Sequence, residues 1–225
     1  MMKSERLKAA ANLAPYVDTF SDVGSDHGYL AALLFSLKKV KKGILIENKK
    51  GPFSRLKKNI EEQDFKDEVV LSLSDGLDEV SLNTELLCLL GMGGDTIIKI
   101  FKKHEDILNS AKYLLIDSHS KKGEVREYLS SKGFIVIKNT CLIEDNIYYD
   151  IELYGRGDKT YSKEELYFGP LNLSHPNEAF IKHYQKKKDL LEYLLSNKEL
   201  SQDKIKKIKE ELKLYEGKDL WMERS

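Results

Sequence analysis

The sequence predicts an α/β protein in which a mostly parallel sheet ends in an antiparallel hairpin and is followed by a helical arm. Short apolar runs, rich in β-branched residues, alternate with helical patterns over the first two-thirds of the chain. The last two of these runs meet at residues 144–146, which leaves no room for a crossover helix and therefore predicts a hairpin. Two amphipathic helical patterns fill the C-terminal third.

Seven strands and four intervening helices follow from these patterns. The strands are predicted near 19–23, 43–47, 68–72, 86–90, 112–116, 133–143 and 146–154. The helices are predicted near 28–39, 51–62, 94–109 and 121–132. Five helix-separated strands followed by a hairpin is the strand count of a class I methyltransferase sheet, which is Rossmann-like, whereas a plain dinucleotide dehydrogenase does not need the hairpin.

The chain beyond the hairpin predicts a connector and an arm. Residues 155–177 contain three glycines and two of the four prolines, a composition typical of a connector. Apolar residues then recur at helical spacing over 178–196 and again from Ile205 to Tyr215. We expect an antiparallel coiled-coil hairpin with helices of about 25 to 30 Å each, at ~1.5 Å per residue. The expected division is a catalytic domain at 1–157 and a connector with helical hairpin at 158–225.

Composition excludes several classes of protein. The 225 residues contain no uninterrupted apolar run of the ~18 residues that a membrane span needs. The N-terminal residues show no long apolar core with a cleavage site, so we expect a cytoplasmic protein. Cys88 and Cys141 both fall in predicted buried strands, which favours reduced structural thiols, and no metal-ligand cluster is visible. The net charge of zero argues against nucleic-acid binding by bulk charge, although the many lysine pairs leave either a solvated surface or a local basic patch open.

The densest chemical signal lies where the first strand turns into the first predicted helix. Residues 21–29 read Ser-Asp-Val-Gly-Ser-Asp-His-Gly-Tyr, a D-x-G-x-D-x-G string rather than the G-x-G-x-x-G that receives a pyrophosphate. A carboxylate at Asp26 would repel phosphates and would favour a cationic sulfonium. The string therefore predicts S-adenosylmethionine rather than NAD, with Asp22, Gly24 and Ser25 as cofactor-binding residues.

Two further acids follow the next two strands. Glu47 and Asn48 end the second strand, where an acid can accept hydrogen bonds from ribose hydroxyls. Asp75 and Gly76 follow the third strand, where class I methyltransferases place an adenine contact. Each acid alone is equally typical of a helix cap or a turn. Acids after three successive strands favour a cofactor site.

A glycine-rich segment follows the fourth predicted strand. Gly91, Met92 and Gly93 precede the next helix, in the position where amino-directed methyltransferases carry an Asn-Pro-Pro-Tyr type motif, which is absent here. Glycines at this position predict a floor on which backbone lies close to the cofactor and the incoming base. A flexible strand-to-helix turn is the alternative.

These motifs together resemble the bacterial tRNA (adenine-22-N1)-methyltransferase family, TrmK. The resemblance rests on DVGSDHGYL at 22–30, ILIEN at 44–48, SDGL at 74–77, GMGG at 91–94, the EDNIYYDI hairpin and FGPLNLSHPNEAF at 168–180. It covers most of the chain. After the fifth strand this chain has residues 117–119 as Asp-Ser-His, where the family usually has Gln-Pro-Asn.

The resemblance implies methyl transfer from S-adenosylmethionine to N1 of adenine 22 in the D-arm of tRNA. N1 already has a lone pair and the product is a cation, so a carboxylate that accepts a hydrogen bond from the exocyclic amine would stabilise it. We expect Asp26 in this role, and its alternative is an acid that orders the loop. Arg6, His27 and Tyr29 are the expected substrate-binding residues. Alternatives to this function are methylation of another RNA base and a non-catalytic RNA-binding module, and we expect a monomer with a dimer as the alternative.

Overall fold

One seven-stranded sheet organises the molecule. The computed structural model describes residues 4–81, 83–196 and 200–217. The strands are β1 (Thr19–Val23), β2 (Lys42–Glu47), β3 (Val69–Leu73), β4 (Leu86–Gly93), β5 (Tyr113–Ser120), β6 (Phe134–Glu144) and β7 (Ile147–Arg156). Their order is β3-β2-β1-β4-β5-β7-β6, with β1 to β5 parallel and β7 antiparallel to both of its neighbours. The predicted parallel sheet with a terminal hairpin is confirmed.

Ten α-helices surround this sheet in the described part of the chain. They are α1 (Glu5–Leu13), α2 (Tyr29–Ser36), α3 (Lys50–Glu61), α4 (Gly94–Lys103), α5 (Glu105–Ser110), α6 (Lys122–Ser131), α7 (Lys163–Phe168), α8 (Pro170–Ser174), α9 (Glu178–Ser196) and α10 (Gln202–Lys213). The single helix predicted over 94–109 is wrong, because the non-helical His104 (φ −129°, ψ 54°) separates α4 from α5. Helix α1, which was not predicted, is capped by Ser4 and buries Ala10 and Ala11.

The sheet order reverses between β1 and β4, and this reversal positions the site. Strands run outward from β1 to β3 on one side and from β4 to β5 on the other. Buried apolar clusters pack the helices against the sheet. Open α/β sheets bind ligands in the crevice that forms at the carboxyl ends of the strands there.

Strands β4 and β5 are longer than predicted. Strand β4 continues through Gly91 to Gly93, with a register irregularity between Leu90 and Met92 against β5. The glycines predicted to follow the strand are therefore its last residues. They remain at the carboxyl edge of the sheet, as expected.

A buried ion network fixes the chain after β7. Arg126 of α6 is fully buried and donates to Asp150 Oδ2 at 2.7 Å and to Glu152 Oε1 at 2.9 Å. The same guanidinium donates to the backbone carbonyl of Leu166 in α7 at 2.7 Å. The segment predicted as a plain connector is therefore partly helical and held against the sheet.

The helical arm shares its core with the sheet. Phe180, Tyr184, Leu191 and Tyr215 pack in one buried cluster together with Cys141 of β6. Nineteen residues give α9 a length of about 28 Å, as predicted, but the twelve residues of α10 give about 18 Å, which is shorter than predicted. The predicted interhelical loop lies partly outside the described residues, since these omit 197–199, and the end of the predicted arm, 218–225, lies wholly outside them.

Candidate active site

The loop between β1 and α2 adopts left-handed backbone conformations. Gly24 has φ +77° and Asp26 has φ +48°, which is uncommon for a residue with a side chain. Ser25 Oγ donates to the backbone carbonyl of Asp22 at 2.7 Å. A Cβ added at Gly24 would lie 2.8 Å from Cε of Met92, so glycine at this position lets β4 approach the loop.

The end of β2 holds this loop in place. The N–H groups of Gly24 and Ser25 donate to the carbonyl of Ile46 at 2.9 and 3.1 Å. The N–H of Asp26 donates to Glu47 Oε1 at 2.6 Å. Glu47 was predicted to accept from a ribose, and in the structure one of its oxygens also orders the loop. Its other oxygen takes no part in this bond.

Asp22 is a buried carboxylate beneath the loop. The pKa of Asp22 is raised to about 7, mainly by burial and also by the nearby Glu47 carboxylate, while the hydrogen bond from Ser25 opposes this rise. The charge of Arg6 also lowers this pKa. Titration near neutral pH is typical of functional sites in α/β enzymes, although structural networks also produce it.

A cavity of about 220 Å³ opens between this loop, the ends of β2 to β4, and α4. Five of the predicted cofactor-binding residues line it: Gly24, Asn48, Asp75, Gly76 and Met92. Sequence reasoning missed the rest of its wall, which is Val23, Ile46, Ser74, Thr96, Lys99, Ile100, Lys103 and His104. Apolar walls with one carboxylate and one amide fit a nucleoside.

The other predicted cofactor residues lie around this cavity without lining it. Asp22, Ser25 and Glu47 are buried beside the cavity, and Gly91 and Gly93 flank Met92 in β4. The electrostatic character of the wall also differs from the prediction, because α4 contributes two lysines to a site expected to be ringed by acids. One of them, Lys103, is paired with Asp78 at 2.7 Å.

A second group of side chains meets on the other side of Met92. Arg6 of α1 donates to Asp117 Oδ2 at 2.8 Å, and its guanidinium lies 5.3 Å from the ring centroid of Tyr149. A Cβ added at Gly91 would lie 3.2 Å from Arg6 Nη1 and 3.5 Å from His119 Nε2. The structure thus brings the predicted Arg6 to the predicted glycine floor, and it adds three residues that sequence reasoning did not assign to the site.

Asp26, His27 and Tyr29 form a third group on the outer side of the loop. The rings of His27 and Tyr29 stack with centroids 5.2 Å apart. The carboxylate of Asp26 is 60% exposed and lies 3.7 Å from His27 Nε2 and 3.6 Å from Arg55 Nη2. Asn59 Nδ2 lies 3.1 Å from His27 Nδ1. None of the three predicted residues lines the nucleoside-sized cavity.

A metal-binding cluster and a membrane-spanning helix are both absent from the part of the chain that the structure describes. Within residues 4–81, 83–196 and 200–217, no three His, Cys, Asp or Glu side chains are grouped to hold a metal ion. No helix in those ranges combines the length and apolar character needed to cross a bilayer. Cys88 and Cys141 are free and buried, and burial raises the pKa of both thiols.

Comparison with known proteins decides the family. The sequence profile of TrmK, described as tRNA (adenine(22)-N(1))-methyltransferase, matches residues 20–217. The chain belongs to the TrmK family. It is 25% identical over 188 residues to the tRNA (adenine(22)-N(1))-methyltransferase of Bacillus subtilis strain 168, a match that covers 80% of this chain and 79% of the relative.

Solved structures agree with TrmK membership. The Streptococcus pneumoniae protein Sp1610, crystallised with S-adenosyl-L-methionine, is 28% identical with a TM-score of 0.83, covering 94% of this chain and all of that one. The TrmK of M. capricolum, solved with S-adenosyl-homocysteine, has a TM-score of 0.84 at 22% identity over 95% of this chain and 96% of that one, and shows the fold. As a TrmK enzyme, this chain is an S-adenosylmethionine-dependent tRNA methyltransferase, and the alternative of a non-catalytic RNA module is not favoured.

Proposed function

We propose that the nucleoside-sized cavity at the ends of β1 to β4 is where this TrmK enzyme binds S-adenosylmethionine for methylation of N1 of adenine 22. The observation that carries the proposal is the convergence of Gly24, Asn48, Asp75, Gly76 and Met92 on one cavity, in a chain matched by the family profile over residues 20–217. The cofactor, when bound, supplies an electrophilic methyl group carried on a sulfonium.

The residues of the cavity have distinct proposed roles. Asp75 and Asn48 hold the nucleoside through hydrogen bonds, and the free oxygen of Glu47 accepts from the ribose. Gly24 and Met92 form the narrow part of the cavity, where the Cβ position of residue 24 lies 2.8 Å from the methionine. The buried Asp22 contributes negative charge below the loop when it is ionised, which favours a cationic donor.

Asp26 is the proposed catalytic carboxylate. Its side chain is exposed, and its contacts with Arg55 Nη2 and His27 Nε2 are long, at 3.6 and 3.7 Å, so it is accessible to a base. N1 of neutral adenine needs no deprotonation before attack. A carboxylate that accepts a hydrogen bond from the exocyclic amine stabilises the positive charge that develops on the ring.

The tRNA is proposed to reach the site from the side of the glycine floor. The N1 atom lies on the Watson–Crick edge, so the adenine has to be unpaired or turned out of its stack, at a cost of a few kcal/mol. Arg6, beside Gly91, and the stacked rings of His27 and Tyr29 are the proposed contacts to the substrate.

The remaining assignments concern the whole molecule. We assign the catalytic domain to 1–157 and the connector and arm to 158–225, because β7, the last strand, ends at Arg156 and only helices follow it in the described residues. We further propose a monomer, because the described helices of the arm pack their apolar stripes against each other and against the sheet. We also propose a cytoplasmic location.

The proposal is tested by methylation of unmodified tRNA. Purified protein, labelled S-adenosylmethionine and an unmodified tRNA transcript are incubated, and the product is digested and mapped by mass spectrometry. We expect one methyl group at N1 of adenine 22 and none on a transcript that carries guanine at position 22. A methyl group on another base, or equal labelling of both transcripts, contradicts the proposed acceptor.

A further inference from the structure

A cleft of about 480 Å³ lies between the sheet and the helical arm. It begins at His119 and Ser120, the last residues of β5, and passes the start of α6 to reach α9. His119 Nε2 is 3.5 Å from the Cβ position of Gly91, and Ser120 Oγ is 3.5 Å from that of Gly93. The cleft therefore starts beside the glycine floor that we assign to the acceptor base, and it leads away toward the arm.

An aromatic pair joins the two walls of the cleft. The rings of Tyr148 in β7 and His183 in α9 are stacked, with centroids 3.9 Å apart and planes 8° apart. Lys122 Nζ, at the start of α6, lies 5.0 Å from the centroid of Tyr148. The pair joins α9 to β7, and Lys122 places the start of α6 beside the same tyrosine. A second cavity of about 350 Å³, between the β6–β7 hairpin and α9, shares Tyr148, His183 and Lys187 with the cleft.

The two connected cavities have an excess of positive charge. Their lining includes five lysines, Lys121, Lys122, Lys182, Lys186 and Lys187. The acids in the lining are Glu124, which lies 3.6 Å from Lys121, and Asp150, which is bound by the buried Arg126 at 2.7 Å. Lys121 also pairs with Asp95 and Lys187 with Glu211, so the excess comes mainly from the other three lysines.

His183 reports the electrostatic character of this region. Burial, together with the charges of Lys122 and Lys187, lowers the pKa of His183 to about 4. The imidazole is consequently neutral at physiological pH, and its role in the cleft is to stack on Tyr148. The cations of the cleft are the lysines.

We propose that this cleft and the cavity connected to it bind backbone phosphates of the tRNA segment that leads away from the target adenosine, with Lys122, Lys182 and Lys186 as the phosphate contacts. This inference rests on the proposed function. A chain with zero net charge has to gain its affinity for RNA from local clusters of cationic side chains. The cleft contains such a cluster, and it starts beside the glycine floor that we assign to the acceptor base. The contacts of His183 and Lys122 with Tyr148 bring lysines from α6 and α9 to the same tyrosine, which favours a defined path of the RNA backbone.

The test removes charge from the cleft and compares it with equal removal elsewhere. The variant is Lys122→Gln with Lys186→Gln. The matched control is Lys66→Gln with Lys209→Gln, because Lys66 lies before β3 at the opposite edge of the sheet, and Lys209 lies on α10 outside both cavities. The measurements are tRNA affinity at several salt concentrations, KM and kcat for tRNA, S-adenosylmethionine affinity and thermal unfolding.

We expect the cleft variant to raise the tRNA KM about tenfold or more, while the affinity for S-adenosylmethionine and the melting temperature stay near wild type. The plot of log affinity against log salt concentration has a negative slope. The magnitude of this slope should decrease by roughly 0.7 to 0.9 for each phosphate that the variant no longer neutralises. The control variant should change both quantities much less. A third variant, His183→Ala, removes no charge at neutral pH and should weaken tRNA binding because α9 is no longer held in position.

Three outcomes separate this inference from the proposed function. Equal tRNA affinities and salt slopes in the cleft and control variants overturn the inference and leave the function intact. An altered oligomeric state with unaltered tRNA affinity also overturns it, because the cleft is then an interface between copies of the chain. Weakened tRNA binding in the cleft variant, with no methyl group at adenine 22 from wild-type enzyme, supports the cleft and contradicts the proposed acceptor.

Discussion

Arg6 Nη1 donates to Asp117 Oδ2 at 2.8 Å, across 111 positions of sequence. The bond fastens α1 to the end of β5 beside the glycine floor. The side chain of Asp117 is 1% exposed, and its Oδ1 is buried without a hydrogen-bond partner among the described residues. Arg6 therefore compensates a carboxylate that has little other support.

Loss of Arg6 should destabilise the protein. Removing one member of a buried pair leaves the other charge unsolvated, so we expect Arg6→Ala to lower the free energy of unfolding by about 2 to 4 kcal/mol. Urea denaturation measures this. The control is Lys8→Ala, which breaks an exposed pair with Glu5 and should cost less than about 1 kcal/mol. The double variant Arg6→Ala with Asp117→Asn should regain part of the stability. Equal stability of Arg6→Ala and Lys8→Ala contradicts the buried ion pair as a stabilising contact.

The proposed role of Asp26 predicts a loss of turnover. Asp26→Asn keeps a residue that tolerates φ +48° and removes only the negative charge. We expect kcat for tRNA to fall about a hundredfold, while affinity for S-adenosylmethionine changes less than twofold. Steady-state kinetics and calorimetry measure the two quantities. Full activity of Asp26→Asn contradicts the catalytic role of Asp26. If Asp117→Asn is inactive at the same time, the catalytic carboxylate is the buried Asp117 beside Arg6.

Gly24 should be intolerant of even a methyl group. Its φ of +77° is strained for alanine, and the added Cβ would lie 2.8 Å from Met92 Cε. We expect Gly24→Ala to weaken S-adenosylmethionine binding about tenfold or more, measured by calorimetry. Gly51→Ala is the control, since a Cβ there has no neighbour within 4 Å, and alanine in α3 should stabilise the helix by roughly 0.5 to 1 kcal/mol. Equal affinities of Gly24→Ala and Gly51→Ala for S-adenosylmethionine contradict a role of Gly24 in cofactor binding.

Asp22 should make stability depend on pH. Because burial raises its pKa from 3.8 to about 7, the folded protein keeps a proton that the unfolded chain releases from about pH 4 upward. The stability that Asp22 contributes is present below pH 4 and is lost as the pH rises to 7. Relative to Asp22→Asn, wild type should lose about 3 kcal/mol between pH 5 and pH 8, measured by urea denaturation. Parallel pH profiles for the two proteins contradict the raised pKa.

Local patterns predicted the sheet and much of the cofactor site. The string around Gly24 and the acids after β2 and β3 were visible because each lies at a strand end, and strand ends of a parallel sheet share one edge. The hairpin of β6 and β7 followed from the absence of a crossover. These features depend only on neighbours along the chain.

The contacts that sequence reasoning missed join distant segments. Nothing near Arg6 indicates that it meets Asp117, and nothing near Arg126 indicates that it is buried against Asp150. The departure at 117–119 from the family pattern was the only signal for that part of the site. His104 interrupts a helical pattern whose apolar spacing continues across it, so periodicity alone predicted one helix instead of two.

The most direct test of the account is a crystal structure of the protein with S-adenosyl-homocysteine at saturating concentration. We expect the ligand's electron density in the cavity bordered by Gly24, Asp75 and Met92, with the nucleoside within hydrogen-bond distance of Asn48 or Asp75. Density only outside that cavity, for example beside the stacked rings of His27 and Tyr29, contradicts the account.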